Sequence, residues 1–190
     1  MKIYSGRGDG GQSRLLSGER VEKDDPRLKT FGALDELQSH LGMARAMTRQ
    51  EFLRRILYAV QQDTFVASSE IASTGAALSK LDRRLQEVDI AKVENWIDEL
   101  TASYGLPRGF VVPGRSQDSA AVHVARAVCR RCERLILVLN RQESGLYGRL
   151  LVYYNRLSDL LFVLAWVLEL RAIVEEAVRS VLEVKSAEGH

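Results

Sequence analysis

Proline is scarce in this chain of 190 residues and is confined to its first part. All three prolines precede residue 114, so the last 77 residues lack the residue that most strongly interrupts helices. Long apolar runs are missing as well. The longest, residues 160–168, reads LLFVLAWVL, whereas a membrane-spanning helix needs ~20 residues. The first 20 residues are polar and show no secretory signal. The sequence therefore predicts long helices and no membrane segment.

An excess of one charge is also lacking. The chain has 27 Lys and Arg against 25 Asp and Glu, with a formal net charge of +2. A general nucleic-acid binder usually carries a strongly basic face, so that class is not expected and any basic patch must be local. Apolar residues make up 46% of the chain, and its length is that of one domain with a full core.

Cysteine occurs only twice, as Cys129 and Cys132. The C-x-x-C spacing allows a redox or zinc interpretation, but a zinc site needs four ligands and no second cysteine pair exists. The three histidines, His40, His123 and His190, are not at metal-ligand spacing. Residues three apart share one face of a helix, which favours two small core residues. Unbridged cysteines suit a reducing compartment, so a cytoplasmic location is expected.

The N-terminal segment MKIYSGRGDGGQSRLLSGERVEKDD is rich in glycine and charge, with four glycines in residues 5–14. Glycine loses the most backbone freedom on folding, so a cluster of glycines needs a reason. One interpretation is a cradle of backbone N–H groups around phosphate oxygens. The other is a flexible terminus. The residues of the segment alone leave both interpretations open.

Apolar residues recur every three or four positions through most of the remaining chain. This period predicts five helices: one from about residue 30, then 51–73, 89–104 with Asp89 as N-cap, 117–140, and one from about residue 146. Residues 105–116 contain three Gly and two Pro in GLPRGFVVPGRS and read as a loop. No alternating strand pattern of useful length is present. The predicted fold is an all-α five-helix bundle with a glycine-rich N-terminal loop.

Two helices carry polar stripes. His123, Arg126, Arg130 and Glu133 are spaced by three, four and three residues, which places them on one face of the fourth helix. Asn155 and Asp159 are one turn apart on the fifth helix. Such stripes are often solvated faces. Two features favour a functional site instead. Short polar residues lie amid leucines on the fifth helix, and a row of arginines lies near the apolar cysteines on the fourth helix.

Four of these segments occur together in an order that resembles a known family. They are the N-terminal loop, GALDELQSHLGMARA, FVVPGRSQDSAAVHVARAVCRRCERLI and YYNRLSDLLFVLA. The chain is similar over residues 1–168 to the ATP:cob(I)alamin adenosyltransferases of the propanediol-utilisation (PduO) type. The resemblance implies a five-helix bundle that assembles as a homotrimer. It divides the single domain into an ATP loop (1–29), the bundle (30–168) and a C-terminal helical extension (169–190).

The resemblance also implies the reaction. In this family cob(I)alamin attacks the 5′ carbon of ATP and expels triphosphate, with Mg²⁺ accompanying the nucleotide. The implied roles of the residues are as follows. Catalytic residues would be Asp35, Phe110, Arg126 and Arg130, with Asp35 and Arg126 paired across a subunit boundary. ATP would be bound by Ser5, Gly6, Arg7, Gly8, Ser13, Arg14, Lys23, Arg130, Arg131, Glu133, Arg134 and Asn155. Cobalamin would contact Phe110 and Asp159, and Glu133 would lie near Mg²⁺.

Several alternatives remain at this stage. The chain could be an ATP-gated carrier that delivers adenosylcobalamin to a dependent mutase, or a helical interaction module without activity. Phe110 could simply cover the core, as apolar residues often do. Partners beyond ATP and cobalamin would be a cobalamin reductase or an adenosylcobalamin-dependent enzyme. The loop departs from the family pattern at Ser5, Gly6, Arg7, Gly10, Gln12 and Arg14, and Arg115 replaces a common glycine.

Overall fold

The computed structural model describes residues 2–188, apart from the side chains of residues 76 and 186–188. Its elements in chain order are β1 (Gln12–Arg14), β2 (Arg20–Glu22), α1 (Pro26–Met47), α2 (Glu51–Ile71), α3 (Gly75–Ser79), α4 (Glu87–Tyr104), α5 (Gln117–Gln142) and α6 (Gly148–Glu188). The prediction of a mostly helical chain is confirmed. Where five helices were predicted, the described residues form six, because the segment expected to be a polar link contains the five-residue α3.

The N-terminal loop contains a hairpin that the sequence did not predict. β1 and β2 pair antiparallel, with Gln12 opposite Glu22, Ser13 opposite Val21 and Arg14 opposite Arg20. The turn between them docks on the end of α2, where the Leu16 N–H donates to the Ala72 carbonyl at 2.8 Å. Three-residue strands are too short for an alternating pattern to be visible in the sequence.

The helix ends follow local capping chemistry. Asp25 is the N-cap of α1, and its side chain accepts from the Arg27 N–H at 2.7 Å, while Pro26 occupies the first helical position. The predicted start near residue 30 was therefore too late. The prediction that Asp89 is an N-cap was also wrong. Gln86 is the N-cap of α4, and Asp89 lies at the third helical position, where it accepts from the Gln86 N–H at 2.9 Å.

The core lies between α1, α2, α4, α5 and α6 and is lined mostly by leucine, isoleucine and valine. A polar cluster closes it on one side. Asp63 on α2 is 1% exposed and accepts from Arg83 at 2.9 Å, from Lys92 at 2.7 Å and from the Tyr153 hydroxyl at 3.0 Å. A buried carboxylate is tolerated only when paired and hydrogen-bonded, and these three donors meet that condition.

The C-terminal helix α6 has 41 residues, which gives a length of roughly 60 Å at about 1.5 Å per residue. Its core-facing side chains are buried up to Glu169, and all described side chains from Ile173 onward are exposed. The helical extension predicted for 169–190 is thus continuous with the last bundle helix, and residues 189–190 lie outside the described part. No helix in the described range is both long and apolar enough to cross a membrane.

Candidate functional site

The hairpin and the glycines before it enclose a cleft of about 560 Å³, which we call the cation cleft. Six of its eight lining residues carry a charge or a hydroxyl group. The lining residues are Ser5, Arg7, Gly8, Gln12, Ser13, Arg14, Arg20 and Lys23. Six of them were predicted ATP contacts. The structure therefore brings this part of the predicted site together, while Gly6 lies outside the lining.

The cleft concentrates positive charge without a protein counter-ion. Arg14 and Arg20 are directly opposite each other in the hairpin, an arrangement of like charges that destabilises a strand pair. The side chains of Arg7, Arg14, Arg20 and Lys23 form no hydrogen bond or ion pair with any described residue, and no acidic residue lines the cleft. Such a site is suited to a ligand that carries several negative charges.

Two glycines shape the cleft. A Cβ atom at Gly8 would lie 3.4 Å from the Gln12 carbonyl oxygen and 3.5 Å from the Lys23 Nζ, so a side chain there would occupy the space beside the ammonium group. Gly11 has a φ of 86°, which favours glycine, and its carbonyl accepts from the Lys23 N–H at 2.8 Å. Gly11 thus fixes the backbone of Lys23, and Gly8 leaves the space beside the ammonium group open.

A second group of predicted site residues lies along the seam between α5 and α6. The Asn155 Nδ2 donates to Glu133 Oε1 at 3.1 Å, and the Arg126 guanidinium lies 5.9 Å from the centre of the Phe162 ring. Asn155, Asp159 and Phe162 follow each other at spacings of four and three on α6, which puts them on one face. We call this group the α5–α6 strip; its members are Arg126, Arg130, Glu133, Arg134, Asn155, Asp159 and Phe162.

The exposed members of the strip are free of partners in the described part of the chain. Arg130, Arg134 and Asp159 are exposed and form no hydrogen bond or ion pair with the residues described. Arg131 behaves differently, because its guanidinium pairs with Glu36 of α1. The strip thus offers two unpaired cations beside the Glu133–Asn155 pair. No hydrogen bond or ion pair of the described residues joins it to the cation cleft.

His123 is not part of a solvated face. Its side chain is 6% exposed, and neither ring nitrogen has a hydrogen-bond partner among the described residues. Burial lowers the pKa of His123, and the nearby Arg126 cation lowers it further, while Glu169 acts in the opposite direction. The ring is therefore neutral at pH 7. The Nε of Arg126 is buried without a partner as well.

Phe110 lies in the loop between α4 and α5 and is fully exposed, with a relative accessibility of 107%. The interpretation that it covers the core is therefore wrong. Beneath this loop is a cavity of about 580 Å³, lined by Phe110, Trp166 and Glu169 among others. The loop carries its apolar ring away from the bundle, where the ring is free to meet a ligand.

Asp35 lies on α1 in a cavity of about 600 Å³ that also contains Phe31 and Phe65 and shares Ser13 and Arg14 with the cation cleft. Asp35 is exposed, and its carboxylate has no partner in the part of the chain that the structure describes. Arg126, its predicted partner, lies on α5 and contacts Phe162 instead. The two residues do not meet within one chain.

The cysteines are core residues, as the spacing favoured. Cys129 and Cys132 are both unbridged and 0% exposed. Their thiols donate to the carbonyls of Tyr154 at 3.4 Å and Ala33 at 3.2 Å, and burial raises the pKa of Cys132 to about 12. Thiols with such a high pKa are poor nucleophiles and poor metal ligands. Within residues 2–188 no group of three or more His, Cys, Asp or Glu side chains could hold a metal ion.

Sequence reasoning missed three residues of these surfaces. Arg20 and Gln12 line the cation cleft, and Phe162 stacks below Arg126. A hairpin prediction would have found Arg20, because it is the cross-strand partner of Arg14. Phe162 continues the three-and-four spacing of Asn155 and Asp159, so this spacing in the sequence could have placed it on the same helix face.

Comparisons with known proteins give one consistent result. The sequence profile of the cobalamin adenosyltransferase family matches residues 3–168. The chain is 42% identical over 164 residues to a corrinoid adenosyltransferase of Citrobacter freundii, covering 86% of this chain and 93% of that protein. It is 36% identical over 165 residues to the corrinoid adenosyltransferase PduO of Salmonella typhimurium, covering 87% of this chain but 49% of that protein. A solved structure of a variant PduO-type ATP:corrinoid adenosyltransferase from Lactobacillus reuteri, complexed with cobalamin and ATP, is similar with a TM-score of 0.79 and 32% identity, covering 86% of this chain and 91% of the other.

Proposed function

Because the chain belongs to the cobalamin adenosyltransferase family, we propose that it transfers the 5′-deoxyadenosyl group of ATP to cob(I)alamin. In this reaction the cobalt–C5′ bond forms and the C5′–O5′ bond breaks, and the electron pair of the broken bond leaves on triphosphate. The products are adenosylcobalamin and triphosphate. The observation that carries the proposal is the cation cleft, whose unpaired Arg7, Arg14, Arg20 and Lys23 match the charge of the leaving group.

The chain's own residues act by binding and orienting the substrates. Cobalt is the nucleophile, so the protein needs no general base. Fixed cations and N–H groups around the triphosphate stabilise the negative charge that develops as the C5′–O5′ bond breaks. Holding ATP in line with cobalt supplies the remaining acceleration. We assign the triphosphate to the cation cleft, and the nucleotide to Arg130 and Asn155 of the α5–α6 strip.

Magnesium fits this site as a companion of ATP. Mg²⁺ usually keeps several waters and binds through one or two carboxylates together with substrate phosphates. We assign this role to Glu133, which lies in the strip and accepts a hydrogen bond from Asn155. When bound, the ion neutralises phosphate charge.

We further propose that the chain works as a homotrimer with its site between neighbouring subunits. The cation cleft and the α5–α6 strip are separate within one chain, although both were predicted to contact ATP. Asp35 lies beside the cleft and Arg126 in the strip, and neither side chain has a hydrogen-bonding partner among the residues described. Phe31 and Phe65 beside Asp35 are 41% and 60% exposed, as expected for an interface. An ion pair between Asp35 of one subunit and Arg126 of its neighbour would bring the cation cleft of one chain next to the α5–α6 strip of the other.

The remaining assignments follow the family. We assign the ATP loop to the residues that precede α1, the bundle to the helices from Pro26 to residue 168, and the extension to the part of α6 from residue 169 onward. Two unbridged cysteines support a reducing compartment, so we place the enzyme in the cytoplasm. A cobalamin reductase that supplies cob(I)alamin and an enzyme that uses adenosylcobalamin are the expected protein partners.

Ordering of the N-terminal loop tests the assignment of the cleft. Opposed like charges and glycine-rich backbone disfavour a fixed loop without an anion, and triphosphate binding removes that repulsion. We expect amides of residues 5–23 to exchange protons quickly in the free protein and slowly with Mg-ATP, as measured by hydrogen–deuterium exchange. The core amides of α1 serve as the internal control. Equal exchange of residues 5–23 in both states would contradict the assignment.

A further inference from the structure

The loop that carries Phe110 is attached to the bundle at its two ends. At its start, the Trp166 Nε1–H donates to the Gly105 carbonyl at 3.2 Å. At its end, the Gly114 N–H donates to Glu169 Oε1 at 3.2 Å. Trp166 and Glu169 are three residues apart on α6 and therefore lie on the same face, about one turn from each other. One side of a single helix thus holds both ends of the loop.

Between these two contacts the loop makes no hydrogen bond to the bundle. No residue from 106 to 113 forms a hydrogen bond with any residue that the structure describes. The apolar side chains Leu106, Phe110 and Val112 are 58%, 107% and 85% exposed. The Phe110 ring is therefore not held by packing of its own. Its backbone is held by the two end contacts, with the half-buried Val111 as the adjoining packed residue.

Glu169 is built into the bundle as an anchor. Its side chain is 3% exposed, and the same Oε1 also accepts from the Ser119 hydroxyl at 2.8 Å. Ser119, which is 0% exposed, lies in the first turn of α5 directly after the loop. A buried carboxylate without donors is costly, so the hydroxyl and the loop N–H together hold it in place. Glu169 lies just beyond the residues that the family profile matches.

We propose that Trp166 and Glu169 form a clamp that sets the position of Phe110, which makes them positioning residues for the reaction with cobalamin. This inference rests on the proposed function for its effect on turnover. The attachment of the loop itself does not depend on that function. The simpler alternative is that Glu169 only stabilises the start of α5, and the two interpretations predict different behaviour of the loop.

The test uses the full chain and three variants. Glu169→Ala removes the acceptor, Trp166→Phe removes the indole N–H but keeps a ring, and Glu169→Gln keeps an acceptor oxygen in the same position. Glu175→Ala, an exposed acid on the same helix, is the matched control for Glu169, and Trp96→Phe is the control for Trp166. The first readout is limited trypsin cleavage after the exposed Arg108 inside the loop, which needs no substrate.

We expect cleavage after Arg108 to rise about tenfold in Glu169→Ala and in Trp166→Phe, because losing one such hydrogen bond shifts an opening equilibrium by about that factor. Glu169→Gln and both controls should stay near the parent rate. In the second readout, turnover from cob(II)alamin should fall in the same two variants while the KM for ATP stays unchanged, and Glu169→Gln should recover most of it.

Unchanged cleavage in both Trp166→Phe and Glu169→Ala would overturn the clamp. Faster cleavage with unchanged turnover would overturn the positioning role while leaving the proposed function intact. If Glu169→Ala does not fold, Trp166→Phe decides the matter, since it is conservative and removes only the hydrogen bond to Gly105. Failure of the proposed function would appear separately, as an absence of adenosyl transfer in the parent chain.

Discussion

Replacing Phe110 with alanine is expected to slow turnover at least about tenfold when the assay starts from cob(II)alamin, with the KM for ATP and the melting temperature near those of the parent chain. The ring is fully exposed, so its loss removes no core packing. The cation cleft is formed by other elements, so ATP affinity should persist. A tenfold change corresponds to about 1.4 kcal/mol of the barrier, which does not exceed the roughly 1.5–3 kcal/mol that burying a phenylalanine side chain contributes.

The physical reason lies in the ligand environment of cobalt that the family resemblance implies. In that environment an aromatic ring in the place of the lower axial ligand would leave cobalt four-coordinate and easier to reduce. The loss should therefore be large from cob(II)alamin and smaller when cob(I)alamin is supplied by chemical reduction. Phe52→Ala, at an exposed phenylalanine on α2, is the control and should leave both rates unchanged. An unfolded variant, or one that loses ATP affinity in proportion to its rate, would show that Phe110 is not placed beside the corrin.

Removing Arg126 is expected to affect both assembly and activity. If Arg126 meets Asp35 of a neighbouring subunit, Arg126→Ala leaves a carboxylate without its partner at the interface. Truncating one member of a buried ion pair typically costs about 3–5 kcal/mol. We expect the trimer to dissociate at higher protein concentration, as measured by sedimentation velocity, and activity to fall.

Exchanging the two charges distinguishes an ion pair from two residues that act independently. Asp35→Arg combined with Arg126→Asp should recover part of the trimer and part of the activity, whereas either single reversal should not. Glu36→Ala is the matched control, since Glu36 pairs with Arg131 inside its own chain. A fully active, trimeric Arg126→Ala protein would remove the pair from the account.

Helices were predictable because their signal is long. A three-and-four period of apolar residues extends over 18 to 41 residues in the five longer helices, and each was expected close to where it lies. The errors occurred at the ends of helices, where a single capping residue determines the boundary. Asp25 followed by Pro26 is a start signal that outweighs the later apolar period, and Gln86 was overlooked in favour of Asp89.

The site was predictable only as a set of residue types. The glycine loop and the polar stripes were visible in the sequence, but the opposition of Arg14 and Arg20 needed a hairpin of three-residue strands. The separation of the cleft from Arg126, Arg130 and Asn155 needed the packing of α1 against α5. Trp166 and Glu169 were hidden, because an apolar run that ends in an acid gives no sign of the loop contacts it makes.

Repeated turnover tests the central claim most directly. The purified chain, supplied with Mg-ATP and excess cob(I)alamin, should release many equivalents of triphosphate per subunit, with one adenosylcobalamin formed for each triphosphate. This stoichiometry follows from breaking one C5′–O5′ bond for each cobalt–carbon bond made. Binding of both ligands without triphosphate release, or release that stops before one equivalent per subunit, would contradict enzymatic transfer and would indicate a carrier or an inactive helical module instead.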